Sequence, residues 1–170
     1  MRIFNIKRYH PNSAKPAGQS AVEFALVLPI LLIVLIGILE VGHLIFVYVS
    51  VFNASREAAR YGSASGTVNG DEQFRDCAGI KNAALRLRFL ADYDANDITI
   101  RYDQGPGTPQ SPICESMSTN DWSAVEQGSR VTVTISANFE MYMPFLPIPA
   151  FPITSTSSRT LLGTVFLPIN

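Results

Sequence analysis

Histidine is nearly missing from this chain. Only His10 and His43 occur, one in a basic leader and one at the end of a long apolar run. No Ser-His-Asp or Cys-His arrangement can be assembled beyond residue 43, and imidazole-based metal sites are excluded there as well. A glycine-rich phosphate cradle is lacking, and Tyr61 and the arginines have no partner set for acid–base work. The expectation is therefore a protein that is not an enzyme and that takes no cofactor and no small-molecule substrate. Charge is scarce too, at 16% of residues against 47% apolar. Acids are absent from the first 18 residues, which carry Arg2, Lys7, Arg8 and Lys15. Residues 19–170 hold nine basic and fourteen acidic side chains, nine minus fourteen giving a net −5. A nucleic-acid partner would need a basic face, so none is expected.

What the chain does have is an uncharged apolar run from Phe24 to Leu39. Sixteen helical residues rise about 24 Å, whereas a bilayer core of about 30 Å needs about twenty. A span would thus extend to around His43, with Glu40 near the outer interface and within reach of water. Pro29 lies inside the run, which membrane helices tolerate. The basic leader reads as the cytoplasmic flank, which makes a single-pass protein with its N-terminus inside and its C-terminal part extracytoplasmic. An ordinary secretory signal is cut beyond its apolar core at small residues, and Glu40-Val41-Gly42-His43 offers no such site. A simple uncleaved anchor remains an alternative. Glu23 fits that alternative poorly, because a carboxylate at mid-bilayer costs about 2.5 kcal/mol or more on insertion scales.

The helical pattern does not stop at the membrane. Leu44, Val47, Val51, Ala54, Ala58 and Tyr61 recur at steps of three or four, and Asn53, Arg56, Glu57 and Arg60 take the other faces. Gly62 with the following Ser-Ala-Ser-Gly-Thr supplies a stop and a linker. The stripe has two readings, packing against the chain's own globular part or contact with a partner.

Gly18-Gln-Ser-Ala-Val-Glu-Phe24, placed after a basic leader and before an apolar run, resembles the class III signal of type IV pilins. Ala-Val-Glu-Phe-Ala-Leu-Val-Leu-Pro, then Gly-Ile-Leu-Glu-Val-Gly, then Asn-Ala-Ser-Arg-Glu-Ala-Ala-Arg-Tyr-Gly follow in order and resemble the TadE-like family. These are minor pilin-like proteins of the tight-adherence (Flp) pilus system. The likeness covers residues 18 to about 62. It implies cleavage by a prepilin peptidase between Gly18 and Gln19, with Glu23 becoming the fifth residue of the mature chain. It further implies that Glu23 and Phe24 contact other pilin or pseudopilin subunits. The implied division is a leader (1–18), a transmembrane helix (19–43), an extracytoplasmic extension (44–62) and a head (63–170). The implied work is pilus assembly and surface attachment. A membrane-tethered extracytoplasmic binding module that never joins a fibre is the alternative, and processing separates the two.

For the head the pattern predicts an α+β fold. A second helix is expected from Asp71, with Cys77, Ile80, Ala84, Leu87 and Ala91 as its apolar stripe. Alternation predicts strands at Ile98–Asp103 and Val131–Phe139, with a weaker one from about Ile153 to Leu162. Together they form a small antiparallel sheet covered on one face by helices. The connection from Gln104 to Gly128 is long enough to require a constraint. Cys77 and Cys114 lie on the extracytoplasmic side, where disulfides persist, and a bridge there would add about 3–4 kcal/mol in the chain-entropy model. Two unpaired buried thiols are the alternative. Asp92, Asp94 and Asn96, with Asp103 eleven residues after Asp92, echo calcium-loop spacing. Asp97 occupies the glycine position, and a solvated turn accounts for the same residues. The proline-rich stretch 143–152 reads either as a hydrophobic docking surface or as a connection folded over the core.

Overall fold

The computed structural model describes residues 17–89, 91–142 and 149–162. The leader residues Arg2, Lys7, Arg8, His10 and Lys15 lie outside the described residues, as does 143–148 of the proline-rich stretch. The chain divides into two compact units, one ending at Ile38 and the other beginning at Leu39.

Helix α1 (Ala17–Gly62) supplies all that is described of the first unit, and Pro29 stands inside it without ending it. Val22, Phe24, Leu26, Ile30, Ile33 and Ile38 are all exposed. A helix that is apolar all round needs an apolar surrounding. This one is long and apolar enough to cross a membrane.

In the second unit, the rest of α1 is followed by β1 (Thr67–Val68), β2 (Asp71–Glu72), α2 (Cys77–Leu85) and β3 (Ile98–Asp103). Then come α3 (Thr119–Ser123), β4 (Arg130–Phe139) and β5 (Phe151–Thr160). The three long strands form an antiparallel sheet in the order β3-β4-β5, with Ile100 opposite Val133 and Val133 opposite Ser157. One face carries Ile98, Ile100, Tyr102, Val131, Val133, Ile135, Ala137 and Phe139, all buried. Val47, Val51, Ala54 and Ala58 of α1 and Ile80 and Ala84 of α2 complete the same core. Complete burial of one valine such as Val51 contributes about 1.5–3 kcal/mol before entropy. Small residues let the elements approach closely. A Cβ on Gly62 would stand 2.9 Å from Ile80 Cδ1 and 3.3 Å from Val131 Cγ2. The α1 stripe is therefore packing against the chain's own head, and the unit is α+β.

Several expectations need correction. Asp71 and Glu72 do not begin a helix; they pair with Val68 and Thr67 around an Asn69-Gly70 turn with φ of 55° and 93°. Positive φ at both positions is what a type I′ hairpin requires, and Asn-Gly is its preferred pair. Helix α2 stops at Leu85 and does not reach Leu87 or Ala91. Ser50 of α1 takes up the backbone there, donating to the Leu87 carbonyl at 2.8 Å and accepting from the Phe89 amide at 3.2 Å. The last strand runs from Phe151 to Thr160, starting two residues earlier than expected because Phe151 pairs with Phe139. Glu40 is more covered than expected: it is 7% exposed in the second unit, with Oε2 buried and unpaired among the described residues.

Candidate assembly surface

Gly18 and Gln19 lie in the opening turns of α1. The Gln19 side-chain amide donates to Glu23 Oε1 at 3.2 Å, one helical turn away. Phe24, beside it, is exposed. Among the described residues, no atom comes within 4 Å of where a Gly18 Cβ would stand, so nothing in their packing demands glycine there.

Beyond Ile38, α1 has two apolar faces. One is buried in the head. The other carries Val41, Ile45, Tyr48, Val49 and Phe52, all exposed. Tyr48 and Phe52 stack with ring centroids 6.3 Å apart, and the Arg56 guanidinium sits 5.3 Å over the Phe52 ring. Outward-facing aromatics in contact with a cation suit a protein surface better than bare water. Reading a single stripe from the sequence missed this second face. Its signal was Tyr48, Phe52 and Arg56 at steps of four.

The head itself is fastened at several points. Cys77, the first residue of α2, is bonded to Cys114 with Cα atoms 5.9 Å apart. Lys81 on α2 and Glu115, next to Cys114, form an ion pair at 2.5 Å. Burial opposes ionisation of Glu115, but the Lys81 contact outweighs it and holds the carboxyl below its ordinary value. Tyr102 brings its hydroxyl to 3.5 Å from Cys114 Sγ and onto the Phe74 carbonyl. Its ring packs with Phe74 and Trp122, and burial pushes its phenol well up. The connection from 104 to 128 is thus pinned by Cys114 and by Trp122 of α3, and contains ordered turns of its own.

Asp103 is buried at the end of β3, accepting from Arg130 Nε at 2.7 Å and Thr132 Oγ1 at 3.1 Å. Burial raises its pKa, yet the bonds from Arg130, Thr132 and the Gly105 amide prevail and keep it below the usual carboxylate value. The outer face of the sheet carries a hydroxyl ladder: Thr132 with Ser158 at 2.8 Å, Thr134 with Thr156 at 2.9 Å, and Ser136 with Thr154 at 3.2 Å. The calcium-like residues are used otherwise. Asp94 accepts from the Asn96 amide and Asp97 from the Asp94 amide, capping the 3-10 turn Ala95–Asp97. Among the described residues, no group of three or more His, Cys, Asp or Glu is placed to hold a metal. Of the proline-rich stretch, Phe151 packs on Phe139 with ring centroids 5.3 Å apart and opens β5.

Residues 18–60 match the family model for TadE-like proteins. No curated protein matches the chain. No solved structure matches it either.

Proposed function

We propose that this chain is a pilin-like assembly subunit of a tight-adherence pilus, processed after Gly18 by a prepilin peptidase and anchored by α1 with its head outside the cytoplasm. The observation that carries this reading is the TadE-like match at residues 18–60, which spans both the Gly18–Glu23 spacing and the long helix. That match associates the chain with the Tad pilus system in general terms; assembly and attachment are the finer steps proposed here. The work is structural rather than catalytic. Cleavage would free an ammonium at Gln19, four residues from Glu23 and able to replace the side-chain amide that now holds it. A paired carboxylate is far less costly among apolar helices than a lone one. The open space that the described residues leave around Gly18 supports a peptidase, rather than packing, as the reason for the glycine. Glu23 and Phe24 then serve as contacts inside the membrane. The Tyr48–Phe52–Arg56 face serves outside it, with other pilin subunits as partners.

The test is copurification with neighbouring pilin subunits. Glu23→Ala should leave membrane insertion intact and lower recovery of partners about tenfold. Phe52→Ala should lower it less while leaving head stability within about 0.5 kcal/mol, as for other surface changes. Equal recovery of wild type and both variants would remove this surface from assembly. A second reading, a tethered binding module, draws on a recess of about 680 Å³ in the head, lined by Ser63, Gly66, Glu72, Phe74, Glu126 and Leu162. Wild-type protein retaining its leader at the membrane would favour it.

A further inference from the structure

The two edges of the β3-β4-β5 sheet differ. At the β3 edge the following loop supplies a cover. The Ser111 amide donates to the Tyr102 carbonyl at 2.8 Å, the Ser111 hydroxyl accepts from the Tyr102 amide at 2.9 Å, and Arg101 donates to the Ser111 carbonyl at 2.9 Å. At the other edge β5 pairs with β4 alone. Among the described residues, no further backbone bond reaches Phe151–Thr160. Exposed edges are usually guarded by proline, charge or a bulge. Pro152 and Arg159 stand near the two ends, β5 matches β4 residue for residue, and Ile153–Ser158 has neither proline nor charge. The flank of α1 beside this edge is apolar. Ser55 Oγ lies 2.9 Å from Ser155 Oγ. Phe52 and Tyr48 precede Ser55 by about one and two turns and share its helical face. On the opposite flank, Ser50 and Tyr61 bond to Leu87 and Asp76 at the two ends of α2. Tyr48 and Phe52 are exposed, so uncovered aromatics and an open strand edge border the same space.

Each part specifies something about an occupant. Unpaired N–H and C=O groups along an extended strand are matched by another extended backbone. Alternation puts every second side chain of an added strand on the Tyr48 and Phe52 side, which favours apolar residues. The others fall beside Thr154, Thr156 and Ser158, which favours short hydroxyls. On the inner edge β4 already obeys this rule, with Val131, Val133 and Ile135 in the core and Thr132, Thr134 and Ser136 on the hydroxyl ladder. Arg56 and Arg159 are exposed and form no ion pair among the described residues, which favours acidic flanks. Among the described residues a second copy of this chain has no such segment to spare. Its β4 is paired on both sides, and its β3 is paired on one side and covered on the other.

We infer that the β5 edge and the Tyr48–Phe52 flank together receive an extended segment of a different pilin-type subunit, which joins the sheet as an added strand. The inference rests on the proposed assembly function and names the chemistry that its outer contact takes. One test uses the full chain in detergent and a fluorescent peptide, Val131–Ser136 flanked by glutamates, read by polarisation. Two further peptides carry N-methyl groups, one on the apolar residues and one on the hydroxyl residues. A strand pairs through one edge, so one of these should bind like the parent and the other about tenfold more weakly. Phe52→Ala should weaken the parent about threefold with the head's melt unchanged. No binding of the parent, equal binding of the two N-methylated peptides, or an unchanged affinity in Phe52→Ala would overturn the added strand. A photocrosslinker at position 156, in cells making the pilus, tests the occupant. Mass mapping should find it joined to a segment of another pilin-type subunit. Products confined to a second copy of this chain, or to residues 163–170 of the same chain, would overturn that assignment. Copurification from the same cells separates the two levels. Wild-type protein that recovers no pilin subunit sinks the assembly reading, whereas recovery without a product at position 156 sinks only the strand.

Discussion

Helix α1 uses apolar residues in two different ways. Up to Ile38 most of its large side chains, Leu, Ile, Val and Phe, are exposed, and none is buried. From Val47 onward the buried positions narrow to small or β-branched residues, among them Val47, Val51, Ala54, Ala58 and Ala59, each at most 2% exposed. Bulk is kept where the helix stands exposed, a pattern that suits a fluid apolar surrounding. It is trimmed where a helix must lie close to a sheet, because a packed interior tolerates neither a gap nor an extra methylene. Apolar content alone therefore does not identify a membrane segment; residue size and the number of apolar faces do.

The sharpest way to break that contrast is a charge in each region. Val51→Asp puts an unpaired carboxylate at a fully buried position. It should cost about 4 kcal/mol or more, enough to abolish the head's cooperative melt. Ile33→Asp should leave the head's melting unchanged and instead lower membrane insertion by about 2.5–3.5 kcal/mol on insertion scales. A head destabilised equally by both changes would mean that the two regions are not distinct.

Replacing Cys77 and Cys114 with serine comes next, with an expected loss of about 2–5 kcal/mol in head stability. Nonreducing peptide mapping of exported protein should recover the linked pair, and alkylation of both thiols in native protein would contradict it. Insertion should be unaffected, since the bond lies wholly in the second unit.

The smallest effect is pH-dependent. Asp103 and Glu115 both have pKa values below their ordinary ones in the folded head. Their stabilisation is present above the unfolded values, about 3.9 for Asp and 4.3 for Glu, and is lost as pH falls through the lower folded values. Chemical denaturation should show the head weakening below about pH 4. Asp103→Asn should flatten that slope and cost about 2–3 kcal/mol at pH 7, by weakening a buried charge-assisted set. A slope unchanged in the variant would assign the acid sensitivity elsewhere.

The contrast also explains what could be read in the sequence. Periodicity disclosed α1, β3 and β4 because each buries a regular face, as Val131 to Phe139 does on alternate residues. It overran α2, since what ends that helix is the Ser50 hydroxyl, thirty-seven residues away from Leu87. It placed Glu40 in water because the covering of that turn is tertiary. The Asn69-Gly70 hairpin was legible from its dipeptide and was overlooked in favour of an apolar stripe. Gly18, Gln19, Glu23 and Phe24 were singled out by the likeness of residues 18–24 to a pilin signal. Among the described residues nothing around them adds to that beyond the Gln19–Glu23 bond, because their expected partners are other molecules. The outward stripe of Tyr48, Phe52 and Arg56 needed the structure, which tells an unburied apolar face from a buried one.

The central claim is that Gly18 and Gln19 mark a cut that turns an anchored precursor into an assembly subunit. N-terminal sequencing of the membrane-bound wild-type protein, isolated from cells making a prepilin peptidase, tests it most directly. The account predicts a sequence beginning Gln19-Ser20-Ala21, and retention of the leader in Gly18→Glu. Wild-type protein carrying residues 1–18 intact would contradict it.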